Sequence, residues 1–343
     1  MSILSKVMSC ADFFEIKKLD INHSKNISSV MIIDFSSHIF PPIVAKRLRY
    51  RVNSPSGLAL ISSGQIAPQK RLRIMKKYGV DIQVLSLPAP YLLGHSAADA
   101  AKLCIEANDG ISKLCEKYPE HFVGMAVISL YDVGSALDEL KRSVKDFGFR
   151  SVTILTNQRG KGLDSPEYKP FYEKVSAFDV PVLLHPCSWD SYSLVDHEMM
   201  RVFGWPFDTT QAMWRIAFNG VLDNFPKIKF VAHHMGGMFP FFNHRMNTEY
   251  QLSMKSRIKT RQFEYLKYFY GDTALDGSPE SFLCGYAFFG SDKMVYGTDY
   301  PFGEQNGEIF LKDNLASVQY APIDQDSKMK ILGGNAKKLL KLR

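Results

Sequence analysis

The residues of this chain best suited to chemistry are histidines and one aspartate that sit where apolar runs end. The run 228–232 leads into His233-His234 and then Met235-Gly236-Gly237-Met238-Phe239-Pro240. An apolar stretch, a histidine pair and two glycines in that order fit a buried strand that ends at a polar site before a tight turn into a helix. Three more stretches have the same form: Val182-Leu183-Leu184-His185-Pro186, Met294-Val295-Tyr296-Gly297-Thr298-Asp299-Tyr300-Pro301 and, near the start, Met31-Ile32-Ile33-Asp34-Phe35-Ser36-Ser37-His38. Histidine nitrogens and a carboxylate held rigidly together are suitable ligands for zinc or a similar divalent ion, and an open coordination position makes such a site catalytic. The ion then acts as a Lewis acid or lowers the pKa of bound water. One strand-end histidine alone is more often a structural hydrogen-bonding residue, so the weight rests on the recurrence. His185 and Asp299 are the strongest ligand candidates and His38 the next. His234 is cast as the general base or acid beside the metal.

Only a fold that gathers strand ends can bring these residues together. Strands are expected near 31–35, 81–87, 122–129, 151–155, 180–184, 227–232, 268–274 and 293–296, with helices between them. Ser96, with Asp99 three residues on, is a plausible cap for a helix whose Ala100, Leu103, Cys104, Ala107, Ile111, Leu114, Cys115 and Tyr118 share one face, which puts Cys104 and Cys115 in the core. Further helices are expected over 133–146, 170–178, 209–222, 240–268, 279–288 and 324–332, and a closing helix capped at Asn335. Eight strands alternating with helices, with no Gly-rich nucleotide turn after the first, favour an α/β fold of the (β/α)8 TIM barrel type over an open doubly wound sheet. In such a barrel every strand directs its carboxyl end to one face, so His38, His185, His234 and Asp299 converge. Residues 1–28 show no clear period and are expected to be an N-terminal extension ahead of a barrel over 29–343.

Composition agrees with a globular enzyme. Of 343 residues, 45% are apolar and 22% charged, enough for a sizeable core. The formal charge of +7 is scattered apart from Lys46–Arg51, Lys70–Lys77 and Lys337–Arg343, and no nucleic-acid motif accompanies it. A solvated basic surface that also attracts small acidic substrates is the expectation, with no nucleic-acid partner. Five cysteines without CxxC spacing indicate neither a disulfide framework nor a cysteine zinc site and suit a reducing cytoplasm. No apolar run approaches the roughly 20 residues of a membrane span, and charges at Lys6, Asp12, Glu15, Lys17 and Lys18 do not form a signal-peptide core.

These motifs carry a resemblance. From about Ile32 onward the chain resembles the amidohydrolase superfamily, in the branch of aminocarboxymuconate-semialdehyde decarboxylase and γ-resorcylate decarboxylase. The specific marks are Leu183-Leu184-His185-Pro186, the stretch from Phe225-Pro226 through His234-Met235-Gly236-Gly237 to Phe239-Pro240, Gly297-Thr298-Asp299-Tyr300-Pro301-Phe302, and Gly334-Asn335-Ala336. The resemblance implies that His185 and Asp299 bind the metal and that His234, which has the family's spacing to the glycine pair, handles proton transfer or water activation. It implies that Arg245 presents a guanidinium to a substrate carboxylate, in some members from a neighbouring subunit, and hence a homodimer or larger homo-oligomer. The chain departs from the family at its first strand. Where His-x-His or Glu-x-His is usual, it reads Ser36-Ser37-His38. A serine hydroxyl is a poor zinc ligand, which leaves three good protein ligands, His38, His185 and Asp299. Strand alternation puts Asp34 on the same side as Ser36 but deeper, and turns His233 away from the pocket to pack outside the barrel. Trp189 and Trp205 lie where an aromatic substrate could stack, although core packing is the commoner use of such residues. Cys187 has no base placed for it, and His95 and His197 are within reach of the rim from loops.

Three readings follow. The leading one is metal-dependent, non-oxidative decarboxylation of a small aromatic or unsaturated carboxylic acid, with zinc as the expected ion and manganese the alternative. The second is hydrolysis of a lactone, ester or amide with His234 as base. The third is a barrel that has lost catalysis through Ser36 and acts as a binding protein; the joint presence of His185, His234 and Asp299 speaks against it.

Overall fold

Eight short, buried segments form the parallel strands on which the molecule is built: β1 (Ile33–His38), β2 (Ile82–Ser86), β3 (Phe122–Val127), β4 (Ser151–Leu155), β5 (Val182–His185), β6 (Phe230–Ala232), β7 (Phe269–Asp272) and β8 (Met294–Val295). The computed structural model describes residues 31–49, 58, 61–62, 67–187, 199–254 and 268–342. Residues 1–28, Trp189 and His197 lie outside them. The strands hydrogen-bond in chain order. The ring closes where Phe35 N donates to Tyr296 O (2.8 Å) and Asp299 N to Ser36 O (2.9 Å). This is the expected (β/α)8 barrel; most strands are one to three residues shorter than the expected runs, whereas β1 runs on to His38 and β4 keeps its expected bounds.

Among the described residues, ten helices of six residues or more accompany the strands: α1 (Pro42–Arg49), α2 (Pro68–Tyr78), α3 (Ala97–Lys117), α4 (Val133–Lys145), α5 (Lys169–Phe178), α6 (Trp205–Phe218), α7 (Phe239–Glu249), α8 (Pro279–Phe289), α9 (Glu308–Gln319) and α10 (Asn335–Leu340). Helix α3 starts as its sequence requires, with Asp99 N donating to Ser96 Oγ at 3.1 Å. Its Ala100, Leu103, Cys104, Ala107 and Ile111 are buried, whereas Cys115 is only partly so. The helical region expected over 240–268 is α7 followed by an irregular turn to Met254; the remainder is outside the described residues. No helix among the described residues is long and apolar enough to cross a membrane.

The barrel interior has two halves. At the amino end, Ile33, Phe35, Val84, Met125, Leu183, Val231 and Val295 meet Ala336, Leu339 and Leu340 of α10 in one apolar cluster. Helix α10 therefore plugs that end. Asn335 does not cap it, contrary to expectation: its side-chain Nδ2 donates to Ser291 O (2.6 Å) and Met294 O (2.7 Å), which ties the helix to the start of β8.

Strand β1 carries the main irregularity. Its register against β2 slips by one residue between Asp34 and Ser37, a β-bulge. Phe35 therefore packs in the interior cluster while its neighbour Ser36 also reaches an interior partner, Asp272 Oδ2, at 2.6 Å. Asp34 is thereby placed on the opposite face from Ser36, which corrects the expectation from simple alternation. Behind the strand, Asp34 accepts hydrogen bonds from Thr298 N (3.1 Å), Thr298 Oγ1 (2.7 Å) and Gln83 Nε2 (3.0 Å). The buried Arg71 of α2 donates there to Ser37 Oγ (2.9 Å), Gln83 Oε1 (2.9 Å) and the His38 carbonyl (2.5 Å). Its guanidinium also lies 4.6 Å from the centre of the Tyr300 ring. This outer network fixes both ends of the β1–β8 seam.

Candidate metal centre

Continuing the inward register beyond the apolar layer leads from Leu183 to His185, from Val231 to His233, and from Val295 through Gly297 to Asp299. His38 follows Ser36 on the far side of the bulge. His38, His185 and His233 are buried, and the ring centres of His38 and His185 are 5.2 Å apart and those of His185 and His233 5.0 Å. Asp299 Oδ1 lies 2.9 Å from His38 Nε2 and 3.6 Å from His233 Nε2, and Asp299 Oδ2 is 4.0 Å from His234 Nε2. The structure thus brings together His38, His185, His234 and Asp299 as the sequence led us to expect.

It also brings in His233, which alternation had turned outward. The register argument holds for the strand, but it had been anchored on the wrong histidine. His233 continues the inward row from Val231, and the chain then enters the left-handed region at His234 (φ 52°) and Met235 (φ 54°). That backbone brings the next side chain back toward the mouth, so both imidazoles face the pocket and their rings stack with centres 3.8 Å apart. The turn needs its glycines. A Cβ at Gly237 (φ 63°) would stand 2.1 Å from the Pro206 carbonyl oxygen at the start of α6.

Sequence reasoning also missed Asp272, at the end of β7, which is fully buried. Its Oδ2 accepts from His233 Nδ1 (2.5 Å) and Ser36 Oγ (2.6 Å), and its Oδ1 from His234 N (2.9 Å). The signal was present, since Asp272 is another strand-end carboxylate. Gly297 packs closely beside it: a Cβ there would stand 3.1 Å from Asp272 Cβ and from Ser36 Cβ, so a side chain would need both to shift. The Nδ1 atoms of His38 and His185 are anchored locally: His38 Nδ1 is 3.0 Å from Ser86 Oγ and His185 Nδ1 is 2.9 Å from Pro186 O.

Protonation follows from these contacts. Burial holds the His38 pKa down against the pull of Asp299, and burial together with the His233 and His38 rings holds His185 well below the usual histidine range. Burial also acts to lower His233, but the Asp272 and Asp299 carboxylates outweigh it and push this group up to about 10. Asp299 is raised by burial, and the three histidines around it, His233, His234 and His38, more than reverse that and hold it well below the usual carboxylate range.

A divalent ion fits this donor set. His38 Nε2 and His233 Nε2 are buried and make no well-aligned hydrogen bond among the described residues; the group nearest both is Asp299 Oδ1, at 2.9 and 3.6 Å. Two sets of ligand atoms, His38–His185–His233 and His233–His234–Asp299, each lie within 4.8 Å of one another. Atoms that share one ion through bonds of about 2 Å stand roughly 3–4 Å apart, so only small adjustments are needed. The unprotonated imidazoles of His38 and His185 and the ionised Asp299 are in the form metal binding requires.

Around the mouth, Trp205 is stacked parallel to His234 (interplanar 7°, centres 6.3 Å apart), and its Nε1 is buried without a partner among the described residues. Arg245 is exposed on α7. His95 is buried, and its carbonyl accepts from Arg159. Cys187 is held by Asn157 Nδ2 (3.0 Å) and lies 3.4 Å from Asp208 Oδ2, and burial pushes its thiol pKa far up, which suits an inert side chain.

A closed parallel barrel with histidines and an aspartate gathered at its carboxyl mouth defines a TIM-barrel enzyme of the metal-dependent kind. The chain belongs to the Amidohydrolase family (Amidohydro_2), whose model matches residues 33–342. It is 30% identical over 286 residues to the 2-amino-3-carboxymuconate-6-semialdehyde decarboxylase of Dictyostelium discoideum, covering 80% of this chain and 77% of that one. To the gamma-resorcylate decarboxylase of a Rhizobium species it is 29% identical over 290 residues, 79% of this chain and 86% of the relative. Its fold is similar to the crystal structure of 5-carboxyvanillate decarboxylase from Novosphingobium aromaticivorans complexed with manganese and 4-hydroxy-3-methoxy-5-nitrobenzoic acid, with a TM-score of 0.79, 21% identity, and 92% and 97% of the two chains covered.

Proposed function

We propose that this protein is a carboxy-lyase that removes the carboxylate of a small aromatic or unsaturated acid as carbon dioxide, without oxidation, at a divalent-metal site held by His38, His185 and Asp299. The observation that carries this reading is the meeting of those residues with His234 at one mouth of the barrel, in a family whose relatives are named for decarboxylating such acids. Manganese accompanies one fold relative, and zinc suits the nitrogen-rich donor set equally well.

A bound ion supplies positive charge that draws in and orients the substrate's oxygens. The chain's residues account for the rest. His234 stands at the mouth beside Asp299, where its Nε2 can deliver a proton to the substrate carbon that carries the carboxylate. The carbon–carbon bond then breaks, its electron pair returns to the substrate's unsaturated system, and neutral carbon dioxide leaves. The added hydrogen remains in the product, and His234 is reprotonated from solvent. Trp205, parallel to His234, offers a flat apolar wall and an unpartnered indole N–H to a planar acid. Trp189, outside the described residues, is proposed as a further substrate-binding residue.

Arg245 is proposed to meet the substrate carboxylate from a neighbouring copy. Its exposure on α7, together with the exposed Phe241 (76%) and Phe242 (40%) of the same helix, suits a homodimer or larger homo-oligomer. The cysteine pattern supports a cytoplasmic protein, and residues 1–28 are read as an extension to the barrel.

The test is carbon dioxide release from a panel of hydroxybenzoates and unsaturated carboxylic acids, with chelator and with added manganese or zinc. Metal-dependent release from at least one of them is expected. Transfer of labelled water oxygen into the product of a lactone, ester or amide, with no acid decarboxylated, would show a hydrolase instead.

A further inference from the structure

We propose that His233 is a ligand of this metal centre, supplying from β6 the donor that Ser36 fails to supply from β1, with Asp272 as the carboxylate that sets its ring. The inference rests on the metal-dependent reading above.

Ser36 is not free to coordinate. Its hydroxyl donates to Asp272 Oδ2 at 2.6 Å, and that same oxygen accepts from His233 Nδ1 at 2.5 Å. Asp272 therefore joins the residue in the usual ligand position to the imidazole beside it. Both of its oxygens are engaged, the other one by His234 N at 2.9 Å. A carboxylate that accepts from Nδ1 fixes the ring's orientation and turns Nε2 toward a metal, the usual arrangement behind ligating histidines, and the proton that Nε2 carries in the metal-free protein is released when the ion binds. His233 Nε2 is fully buried, makes no well-aligned hydrogen bond among the described residues and lies 3.6 Å from Asp299 Oδ1. His233 also belongs to both candidate ligand triplets, the one with His38 and His185 and the one with His234 and Asp299. No other histidine joins the two. The small side chain at position 36 matters as well, because a longer one would run into the Asp272 carboxylate 2.6 Å from Ser36 Oγ. Loss of the β1 donor and gain of the β6 donor thus belong to one rearrangement around Asp272.

The competing arrangement keeps His233 as a charged partner of Asp272 and Asp299 with no role in coordination. The two differ in metal affinity and in the number of imidazoles on the ion, neither of which depends on turnover. The full chain, stripped of metal, would be titrated with manganese and with zinc by calorimetry, and the zinc-loaded wild type examined by X-ray absorption. Three imidazoles on zinc are expected in the wild type and two in His233→Ala. Affinity should fall by about 10–100-fold in Asp272→Asn, the range found for carboxylates behind ligating histidines, and by at least as much in His233→Ala. His234→Ala should bind metal within a few-fold of the wild type. Wild-type affinity in His233→Ala, alongside loss in His185→Ala, would overturn the proposal, as would two imidazoles in the wild-type spectrum. That spectrum decides the matter even if His233→Ala does not fold. A wild type that binds neither ion would instead sink the metal-dependent reading beneath it.

Discussion

The two ends of the barrel are made by the same strands and have opposite chemistry. At the amino end Phe35, Leu183, Val231 and Val295 meet Leu339 and Leu340 of α10, dry and closed. Two or a few residues further along the same strands stand His38, His185, His233 and Asp299, the three histidines buried and Asp299 Oδ1 2.9 Å from His38 Nε2 and 3.6 Å from His233 Nε2. One end converts burial into stability. The other uses the rigidity so gained to hold polar groups close together, where each shifts the protonation of the next. Damage to the two ends should therefore separate cleanly into effects on folding and effects on chemistry.

The largest separation is expected at the mouth. His234→Gln should lower carbon dioxide release by about 10²–10⁴-fold, the contribution typical of a positioned proton donor, while thermal denaturation shifts little. Equal losses of activity and stability there would erase the contrast. At the opposite end, Leu340→Ala should cost about 2–5 kcal/mol of stability, as buried leucine truncations do, read from denaturant titration, with the substrate KM of the folded fraction unchanged.

A smaller effect tests the seam between the ends. Burial raises the Asp34 carboxyl from 3.8 to about 7, against its hydrogen bonds to Thr298 and Gln83 and the nearby Arg71. The folded state then holds this proton more tightly than the unfolded chain does. Its stabilising effect is complete below the unfolded value and is lost as pH rises toward about 7. Denaturant titrations from pH 4 to pH 8 should show wild-type stability falling relative to Asp34→Asn across that window; parallel curves would contradict the assignment. Smallest of all, Ser36→Ala removes one hydrogen bond to the ionised Asp272 and should cost about 1.5–3 kcal/mol in the same titrations, as hydrogen bonds to charged groups do.

Much of this was legible in the sequence. Apolar runs bounded by Gly, Pro and polar residues marked all eight strands, and their alternation with helices gave the barrel. The barrel in turn made His38, His185, His234 and Asp299 neighbours. What escaped was local backbone. The bulge at 34–37 has no glycine to announce it, so the facing of Asp34 was misread. Two consecutive left-handed residues at His234 and Met235 let adjacent histidines face one pocket, which strand alternation forbids. Asp272 was visible as a type of residue but not as a partner, because only the folded register sets it beside Ser36 and His233.

The convergence of distant strand ends on one ion can be tested directly by anomalous diffraction at the manganese edge from crystals soaked in manganese. A single strong peak within bonding distance of His38, His185 and Asp299, at the carboxyl mouth, is the predicted result. A peak elsewhere on the molecule, or none at that mouth, would contradict it.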